Sequence, residues 1–370
     1  MSEITLVTMP KWGLSMEQGK VNCWLKQVGD AIKRGEEIVE VESEKIAGAV
    51  EAAADGIMRR QLAAAEDTLP VGGLLGVIAA ADVPDAEIDA AVADALANFK
   101  PLTADDESSG ASPEKIQVGN RSIRYLKRGE GGTPVILIHG FGGDLNNWLF
   151  NHEALANSRT VYAVDLPGHG ESTKDVGSGA LSELADALLC FMDAVGVDKA
   201  NLVGHSMGAG VAMAAAVQAP ARVESLTLIC GAGLGAEING DYIQGFVGAA
   251  NRNAIKPQLM KLFGDASLVT RQLVEDIMKY KRIEGVDAAL RTLSSALFAD
   301  GRQQSVLRDQ VAALGKPVLI IWGEADQIIP VAHARAYTGK AQVEVIAGKG
   351  HMVQMEAANE VNQLIKQFLS

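Results

Sequence analysis

The sequence predicts a multidomain protein, with an all-β domain (a flattened barrel or sandwich) at the N-terminus and an α/β domain at the C-terminus. Three observations support this prediction. The chain has 370 residues, more than one average domain. Short β-rich runs broken by glycine fill its first part, and strand-like runs alternate with helix-like runs in its last part. We therefore expect the β domain at residues 1–81, an acidic flexible linker that can form a short helix at 82–113, and the α/β domain at 114–370.

Composition and charge limit the classes of function. Hydrophobic residues make up 48% of the chain and charged residues 21%, which is typical of a globular protein. The sequence has no apolar run long enough to span a bilayer and no signal peptide, so we expect a cytoplasmic protein without a membrane partner. The formal net charge of −13 argues against nucleic-acid binding, because phosphate contacts need basic patches. The three cysteines, at positions 23, 190 and 230, are too scattered for a metal cage or a disulfide framework.

An internal repeat organises the first segment. Residues 29–38 match residues 66–75 at a constant offset, and this match predicts two similar halves related by quasi-two-fold symmetry. The matched pairs are Asp30 with Asp67, Ile32 with Leu69, Gly35 with Gly72 and Ile38 with Leu75. The repeat therefore favours a small barrel-like sandwich.

The segment between the two halves contains Lys45. Residues 41–47 read V-E-S-E-K-I-A, in which two apolar-containing strands flank a polar tip, so Lys45 should project from a hairpin turn into water. A lysine in such a turn is ordinarily only a solvated charge. Its neighbours indicate another role, because residues 9–19, 28–30 and 41–46 resemble the lipoyl domain of 2-oxo acid dehydrogenase complexes.

The resemblance to lipoyl domains implies that Lys45 carries covalent lipoate. Biotin carriers share the fold but usually have methionine on both sides of the modified lysine, whereas this sequence has Glu44 and Ile46. A dithiolane on a long tether raises the effective concentration of its thiol at several active sites. One departure is Glu66, which stands where the family usually has glycine and which we expect to reshape a loop.

The linker segment is acidic. Ile88, Val92, Leu96 and Phe99 lie at nearly helical spacing among alanine and acidic residues, which predicts a weakly amphipathic helix. Residues 103–113 are rich in Asp, Glu, Ser and Gly, a composition typical of a flexible, self-repelling tether. We interpret the segment mainly as a solvated spacer, because it lacks the basic residues of the small subunit-binding domain found in many multienzyme acyltransferases.

The C-terminal segment predicts a parallel sheet covered on both faces. Its apolar strand-like runs are residues 135–138, 160–164, 200–203, 226–229, 318–322 and 343–346, the last of them at an edge. The third run leads into residues 204–208, G-H-S-M-G, and a run of small residues typical of a closely packed helix follows. This strand–turn–helix pattern predicts a nucleophile elbow at Ser206, whose sharp turn needs glycine on both sides.

Backbone donors for an oxyanion are predicted beside Ser206. Residues 139–144, H-G-F-G-G-D, follow the first strand of the sheet as a glycine-rich turn. We expect the N–H of Phe141 and that of Met207 to point at the developing negative charge of an oxyanion hole. On its own, this segment is equally consistent with an ordinary strand-to-helix loop.

An acid and a base follow later strands. Asp326 comes just after the strand at residues 318–322, and His351 comes after the edge strand. The chain order Ser206, Asp326, His351 is that of an α/β-hydrolase triad, in which the histidine takes the serine proton and the acid holds the histidine tautomer. We interpret four other histidines as structural or surface residues, namely His152, His169, His205 and His333.

Residues 116–370 thus resemble the α/β-hydrolase superfamily over nearly their whole length. Residues from about 235 to 314 fall where such enzymes insert a helical cap, which controls access and excludes water. Substrate choice is therefore expected to depend on this cap.

A lipoyl domain joined to an α/β-hydrolase domain resembles the lipoyl-bearing acetyltransferases of acetoin-cleaving dehydrogenase systems. The resemblance implies acetyl transfer from dihydrolipoyl-Lys45 to coenzyme A, with a thiamine-dependent acetoin-cleaving component and dihydrolipoamide dehydrogenase as partners. The H-x-x-x-D-G motif of ordinary lipoyl acyltransferases is absent. In our hypothesis Ser206 takes the acetyl group from the thioester and passes it to the CoA thiol, with His351 moving protons.

Two alternatives stay open on the sequence alone. The second domain can be a hydrolase (a thioesterase, an esterase or a carbon–carbon bond hydrolase) that carries a lipoyl domain for docking. It can also be a scaffold that leaves Lys45 as the only functional group. The sequence does not distinguish transfer of the acyl group to CoA from transfer to water.

Overall fold

The computed structural model describes residues 4–10, 16, 18–42, 47–99 and 112–370. These residues form two compact units, one within residues 1–110 and one within residues 111–370. Lys45 and residues 103–111 of the predicted tether lie outside the described residues, so the proposals about them stay predictions.

The first unit is the predicted all-β sandwich. Its strands are Ile4–Thr8 (β1), Gln18–Trp24 (β2), Ala31–Ile32 (β3), Glu37–Glu42 (β4), Ala47–Glu51 (β5), Gly56–Gln61 (β6), Thr68–Pro70 (β7) and Leu74–Ala79 (β8). One sheet has the order β1-β8-β6-β3 and the other β5-β4-β2-β7, and paired strands run antiparallel. Fully buried side chains from both sheets, including Val21, Val41 and Met58, form the core.

The internal repeat is visible in the hydrogen bonds of two turns. The carboxylate of Asp30 accepts the N–H of Gln27 at 2.7 Å, and that of Asp67 accepts the N–H of Ala64 at 2.7 Å. Aspartate often closes a turn in this way. The two turns lead into β3 and β7, which belong to different sheets, so the repeat relates one sheet to the other as the predicted symmetry requires.

Glu66 corrects one expectation about the second turn. Its φ is +74°, and φ of Gly29, at the matching position, is +98°. The backbone therefore keeps the same turn instead of reshaping it, and the glutamate adopts a conformation that favours glycine. The Glu66 N–H donates to the Val21 carbonyl oxygen at 2.7 Å, and its carboxylate pairs with Lys20 at 3.0 Å. These two contacts offset part of the energetic cost of the strained backbone.

A helix from the predicted linker packs against the first unit. It spans Asp85–Asn98 (α1). The packed side chains are Val77, Ala79, Val83 and Ile88, with Ile4 and Val92 at the margin. Arg59 pairs with Asp85 at 2.9 Å, and Arg60 pairs with Asp89 at 3.0 Å. The helix is therefore a packed element of the first unit, whereas the sequence suggested a solvated spacer.

The second unit is built on an eight-stranded sheet of order β16-β15-β14-β13-β11-β12-β10-β9. Its strands are Glu114–Val118 (β9), Arg121–Arg128 (β10), Val135–Ile138 (β11), Val161–Val164 (β12), Ala200–His205 (β13), Val223–Ile229 (β14), Val318–Gly323 (β15) and Gln342–Ile346 (β16). Its helices are His152–Leu155 (α2), Leu181–Ala194 (α3), Met207–Gln218 (α4), Gly240–Gly248 (α5), Arg252–Met260 (α6), Arg271–Lys281 (α7), Val286–Leu297 (α8), Arg308–Ala313 (α9), Ala332–Arg335 (α10), Val353–Glu356 (α11) and Ala358–Phe368 (α12).

The parallel part of this sheet contains every predicted strand. Strands β11 to β16 pair in parallel, and β16 lies at an edge, as predicted. Strands β9 and β10 add antiparallel pairing at the other edge, and no strand was predicted there from the sequence. Their charged and partly exposed residues mask the strand pattern, whereas β11, β13 and β15 are buried throughout. The predicted α/β fold is confirmed.

Five of the described helices, α5 to α9, lie inside the range predicted for the cap. They occur between β14 and β15, so the chain leaves the sheet after one strand and returns at the next. None of the described helices combines the length and the hydrophobicity needed to cross a bilayer.

Candidate active site

Ser206 lies at a sharp turn between β13 and α4. Its φ of 54° and ψ of −119° place it in a region that residues other than glycine rarely adopt. A side chain at Gly204 would collide with the backbone of Gly208, and one at Gly208 would collide with carbonyl groups at the end of β11. Close packing therefore requires glycine on both sides of Ser206.

Asp326 and His351 form a buried, hydrogen-bonded pair. Asp326 Oδ2 lies 2.8 Å from His351 Nδ1, and Asp326 Oδ1 accepts the N–H groups of Ile328 (2.8 Å) and Ile329 (3.0 Å). Burial opposes the charge of this carboxylate, but the imidazole and the two N–H groups outweigh it and hold the pKa of Asp326 below its ordinary value. The aspartate is therefore ionised at neutral pH and can orient His351 through Nδ1.

A cavity of about 750 Å³, its open mouth included, contains Ser206 and His351. The other polar side chains in its wall are His205, Asn147 and Tyr242. The apolar residues that the cap contributes are Ile238, Ile243, Phe246, Leu259, Leu262, Phe263, Leu273, Ile277 and Phe298. Of the lining residues that the structure describes, none is Lys, Arg, Asp or Glu. Such a wall suits an aliphatic arm better than a charged substrate.

The loop after β11 brings backbone donors close to Ser206. A Cβ atom at Gly140 would lie 3.0 Å from Ser206 Cβ, so the backbone of this loop nearly touches the serine. Within the described chain, neither the N–H of Phe141 nor that of Met207 has an acceptor. No hydrogen bond joins the Ser206 hydroxyl to the His351 ring in this part of the chain either. The two N–H groups can therefore serve an oxyanion.

Buried histidines hold the loops around the cavity. His169 Nε2 accepts the N–H of Gly142 at 3.1 Å, and its Nδ1 lies 3.0 Å from the Pro167 carbonyl oxygen. His205 Nε2 donates to the carbonyl oxygen of His351 at 2.9 Å. Burial lowers the pKa of His169 well below its ordinary value and lowers that of His205 to about 3, so both rings are neutral. The bond from His205 to His351 joins residues 146 apart, and no sequence pattern indicated it.

Cys230 lies close to the acid–base pair. Its Sγ, a carboxylate oxygen of Asp326 and a ring nitrogen of His351 lie within 4.8 Å of one another. Cysteine, aspartate and histidine are ligand types that Zn²⁺ accepts. Burial raises the pKa of the Cys230 thiol well above its ordinary value, and the Asp326–His351 hydrogen bond engages the other two groups. The arrangement therefore fits proton transfer better than metal binding.

The strands on either side of Lys45 are antiparallel neighbours. Strand β4 pairs with β5 up to Glu42 and Ala47, and β5 lies at the edge of its sheet. Lys45 itself lies outside the described residues. Its flanks therefore have the strand arrangement that the sequence predicts, and its role stays a prediction.

Two family models match the chain. The model described as a biotin-requiring enzyme matches residues 5–78, and the model described as an alpha/beta hydrolase fold matches residues 133–358. These ranges cover the sandwich and most of the second unit. Both fold assignments made from the sequence are confirmed.

Two relatives match almost the full chain. A protein of Pseudomonas putida is 53% identical over 100% of this chain and 99% of its own length. A protein of Cupriavidus necator is 48% identical over 98% of this chain and 96% of its own length. Both are named dihydrolipoyllysine-residue acetyltransferase component of acetoin cleaving system. Among solved structures, the meta-cleavage product hydrolase CumD of Pseudomonas fluorescens IP01 is 27% identical, with a TM-score of 0.62 over 69% of this chain and 96% of that chain.

Proposed function

The chain belongs to the family of dihydrolipoyllysine-residue acetyltransferase components of acetoin-cleaving systems, and we propose that it passes an acetyl group from a dihydrolipoyl arm on Lys45 to coenzyme A through Ser206. The observation that carries this proposal is the identity of 53% over the full chain to a relative of that name. The identity spans both units, so we expect carrier and transferase in one polypeptide.

We assign Lys45 as the lipoyl attachment site. The family model of biotin-requiring enzymes spans this position, and the adjacent Glu44 and Ile46 favour lipoate over biotin. Strands β4 and β5 fit a carrier, because they are antiparallel neighbours on either side of the lysine. When attached, the lipoyl group supplies the acetyl group as a thioester of its reduced dithiol.

In the first half-reaction, Ser206 Oγ attacks the acetyl carbonyl carbon while His351 Nε2 takes the serine proton. The hydrogen bond between these two side chains has to form when the substrate binds. The N–H groups of Phe141 and Met207 stabilise the oxyanion, and each such donor typically contributes about 10²–10³ in rate. The carbon–sulfur bond then breaks, and His351 gives its proton to the leaving thiolate. Asp326 stabilises the imidazolium in between.

In the second half-reaction, the thiol of CoA attacks the acetyl ester on Ser206. His351 takes the thiol proton and returns it to Ser206 Oγ as the carbon–oxygen bond breaks. The products are acetyl-CoA and the free serine. Both half-reactions therefore use the same base and the same backbone donors.

Water competes with CoA for the acetyl ester. The apolar wall that the cap contributes gives water few hydrogen-bond partners, which supports transfer to the thiol. One observation favours a hydrolase instead: the second unit shares its fold with a hydrolase at 27% identity. Ser206, His351 and Asp326 would hydrolyse the same thioester if water reached it.

Membership of this family implies that the chain works as a component of a multienzyme system. We propose two partners for it. A thiamine-dependent component would load the arm with an acetyl group, and dihydrolipoamide dehydrogenase would oxidise the dithiol that remains after transfer. The second partner is needed because acetyl transfer to CoA leaves the arm reduced.

Reconstitution of the lipoylated chain with a thiamine-dependent acetoin-cleaving component tests the proposal. The wild-type chain should form acetyl-CoA. Ser206→Ala should slow transfer by about 10⁴-fold or more, because the nucleophile is lost. Lys45→Ala should abolish transfer and the lipoyl mass adduct. Lys33→Ala, which changes an exposed lysine of the same unit, is the matched control and should do neither.

Three results would contradict parts of this proposal. Acetyl-CoA formed by Ser206→Ala at the wild-type rate would exclude the serine mechanism. Acetate as the main product in the presence of CoA would favour the hydrolase. A lipoyl adduct that persists in Lys45→Ala would assign the attachment site to another lysine.

A further inference from the structure

The carboxylate of Glu356 joins the cap to the loop that carries His351. Its Oε1 accepts the N–H of Gly350 at 2.8 Å, and its Oε2 accepts the N–H of Gly264 at 2.9 Å. Gly350 directly precedes His351, whereas Gly264 lies in the cap, 92 residues from Glu356. One side chain therefore links two segments that are remote in the sequence.

These two segments also contact each other directly. A side chain at Gly264 or at Gly350 would collide with the backbone of the opposite segment, so only glycine allows this approach. The N–H of Met352 donates to the Leu262 carbonyl oxygen at 3.0 Å. The residues on both sides of His351 are therefore tied to the cap.

The same cap segment forms part of the cavity wall. Leu262 and Phe263 line the cavity from the cap, and Met352 lines it from the loop. Glu356 is not among the described lining residues, and its two oxygens accept backbone N–H groups. A shift of residues 262–264 that opens the cavity would thus move the backbone next to His351.

The surroundings of Glu356 make it an acceptor of backbone N–H groups. Burial is the largest influence and raises the pKa of its carboxyl group above the ordinary value, although the N–H groups of Gly350 and Gly264 and the charge of Lys349 act in the opposite direction. If the carboxylate is removed, the N–H donors lose their acceptor in a partly buried place. The bond from Met352 to Leu262 and the close backbone contact between Gly264 and Gly350 would then remain.

We propose that Glu356 is a positioning residue that couples closure of the cap to the placement of His351. It holds residues 262–264 and the histidine loop in one arrangement, in which the cap covers the cavity and His351 lies beside Ser206 in its wall. The acetyl ester then passes to CoA in preference to water. This inference rests on the proposed acetyl transfer. Of the two experiments that test it, the second does not depend on that function.

The first experiment compares Glu356→Gln with Glu360→Gln in the reconstituted system. Glutamine keeps the size of the side chain, but its NH₂ group cannot accept a hydrogen bond, so one of the two N–H groups loses its acceptor. Glu360 is an exposed glutamate of α12 and controls for the loss of one charge. Glu356→Gln should lower kcat for acetyl-CoA about tenfold, raise the fraction of acetate severalfold and leave KM for CoA within about twofold. The control should change none of these.

The second experiment measures the burst of p-nitrophenol that accompanies acylation of Ser206 by p-nitrophenyl acetate. This substrate needs neither lipoate nor CoA. Glu356→Gln should slow this burst about tenfold while its circular dichroism spectrum stays that of the wild type. An unchanged burst rate would overturn the proposal. The proposal would also fail if Glu356→Gln lowered acetyl-CoA and acetate in parallel with the amount of folded protein. If Ser206→Ala makes acetyl-CoA at the wild-type rate while Glu356→Gln still slows the burst, acetyl transfer through Ser206 fails and the positioning role stands.

Discussion

Each unit of this protein contains a turn in which a residue other than glycine adopts a positive φ, but the two turns differ in what surrounds them. Glu66 has φ of +74° and a side chain that is 76% exposed. Ser206 has φ of +54° and is 8% exposed, with glycine required on both sides. Close packing of the glycines on both sides holds the Ser206 turn in place, whereas the Glu66 side chain is largely exposed and a glycine at its position would keep the same turn. Backbone strain therefore indicates a functional residue only where the surroundings fix it.

The two units also differ in their histidines. All six histidines of the chain, at positions 139, 152, 169, 205, 333 and 351, belong to the second unit. Burial lowers the pKa of four of them, His139, His152, His169 and His205. These rings make hydrogen bonds to backbone groups as neutral imidazoles. Lowering the pH should therefore destabilise the second unit more than the first.

The largest effect that we expect is the loss of stability of the second unit in acid. The ordinary imidazole pKa is 6.5, whereas that of folded His152 is about 4 and that of folded His205 is about 3. As the pH falls below about 6.5, the unfolded chain binds protons that the folded unit cannot, so stability present at neutral pH is lost toward about pH 3. Each such imidazole lowers the free energy of unfolding by up to about 1.4 kcal/mol for each pH unit of this fall. Hydrogen exchange of the full chain at about pH 7 and about pH 5, corrected for intrinsic exchange, measures both units at once.

In that experiment the first unit is the internal control. It has no histidine, so its protection should change little over the same pH range. An equal loss of protection in both units would mean that carboxylates, not histidines, dominate the response to acid.

The next effect in size concerns the close packing at the elbow. Gly208→Ala should destabilise the second unit by about 3 kcal/mol, because the added methyl group would overlap carbonyl groups at the end of β11. Gly210→Ala is the matched control in the same helix, since its methyl group would have its nearest neighbours at 3.5 Å. Alanine is the better helix former by about 1 kcal/mol, so the control should be neutral or stabilising. Urea unfolding measures both variants, and equal effects would show that the elbow tolerates a side chain.

Short-range patterns were sufficient to predict most of the fold, and they select the residues of the candidate site. Ser206 lies in a contiguous strand–turn–helix motif, and Asp326 and His351 each follow a strand of the same parallel sheet. Side chains after parallel strands meet at one edge of the sheet, so chain order alone predicts that these residues are neighbours. The structure brings Asp326 and His351 to 2.8 Å.

Contacts between remote segments could not be predicted in this way. The bonds from Glu356 to Gly264 and from His205 to His351 join residues far apart in the chain. The packing of α1 depends on arginines of β6 that no local pattern links to it. Sequence periodicity reports whether a residue is buried, but it does not identify the distant backbone group that the residue meets.

The smallest effect that we expect is at Glu66, where strain opposes an ion pair. Glu66→Gly removes a backbone strain of about 1 kcal/mol, but it also removes the pair with Lys20 and increases the entropy of the unfolded chain. The pair is exposed and screened by solvent, so the relief of strain should prevail and slow hydrogen exchange in β2 and β7. Glu66→Gln keeps the strain and removes only the charge, so exchange should become slightly faster. If both variants accelerate exchange, the ion pair contributes more to stability than the strain costs. The Glu66 turn is then stabilised by charge, whereas the Ser206 turn is stabilised by packing.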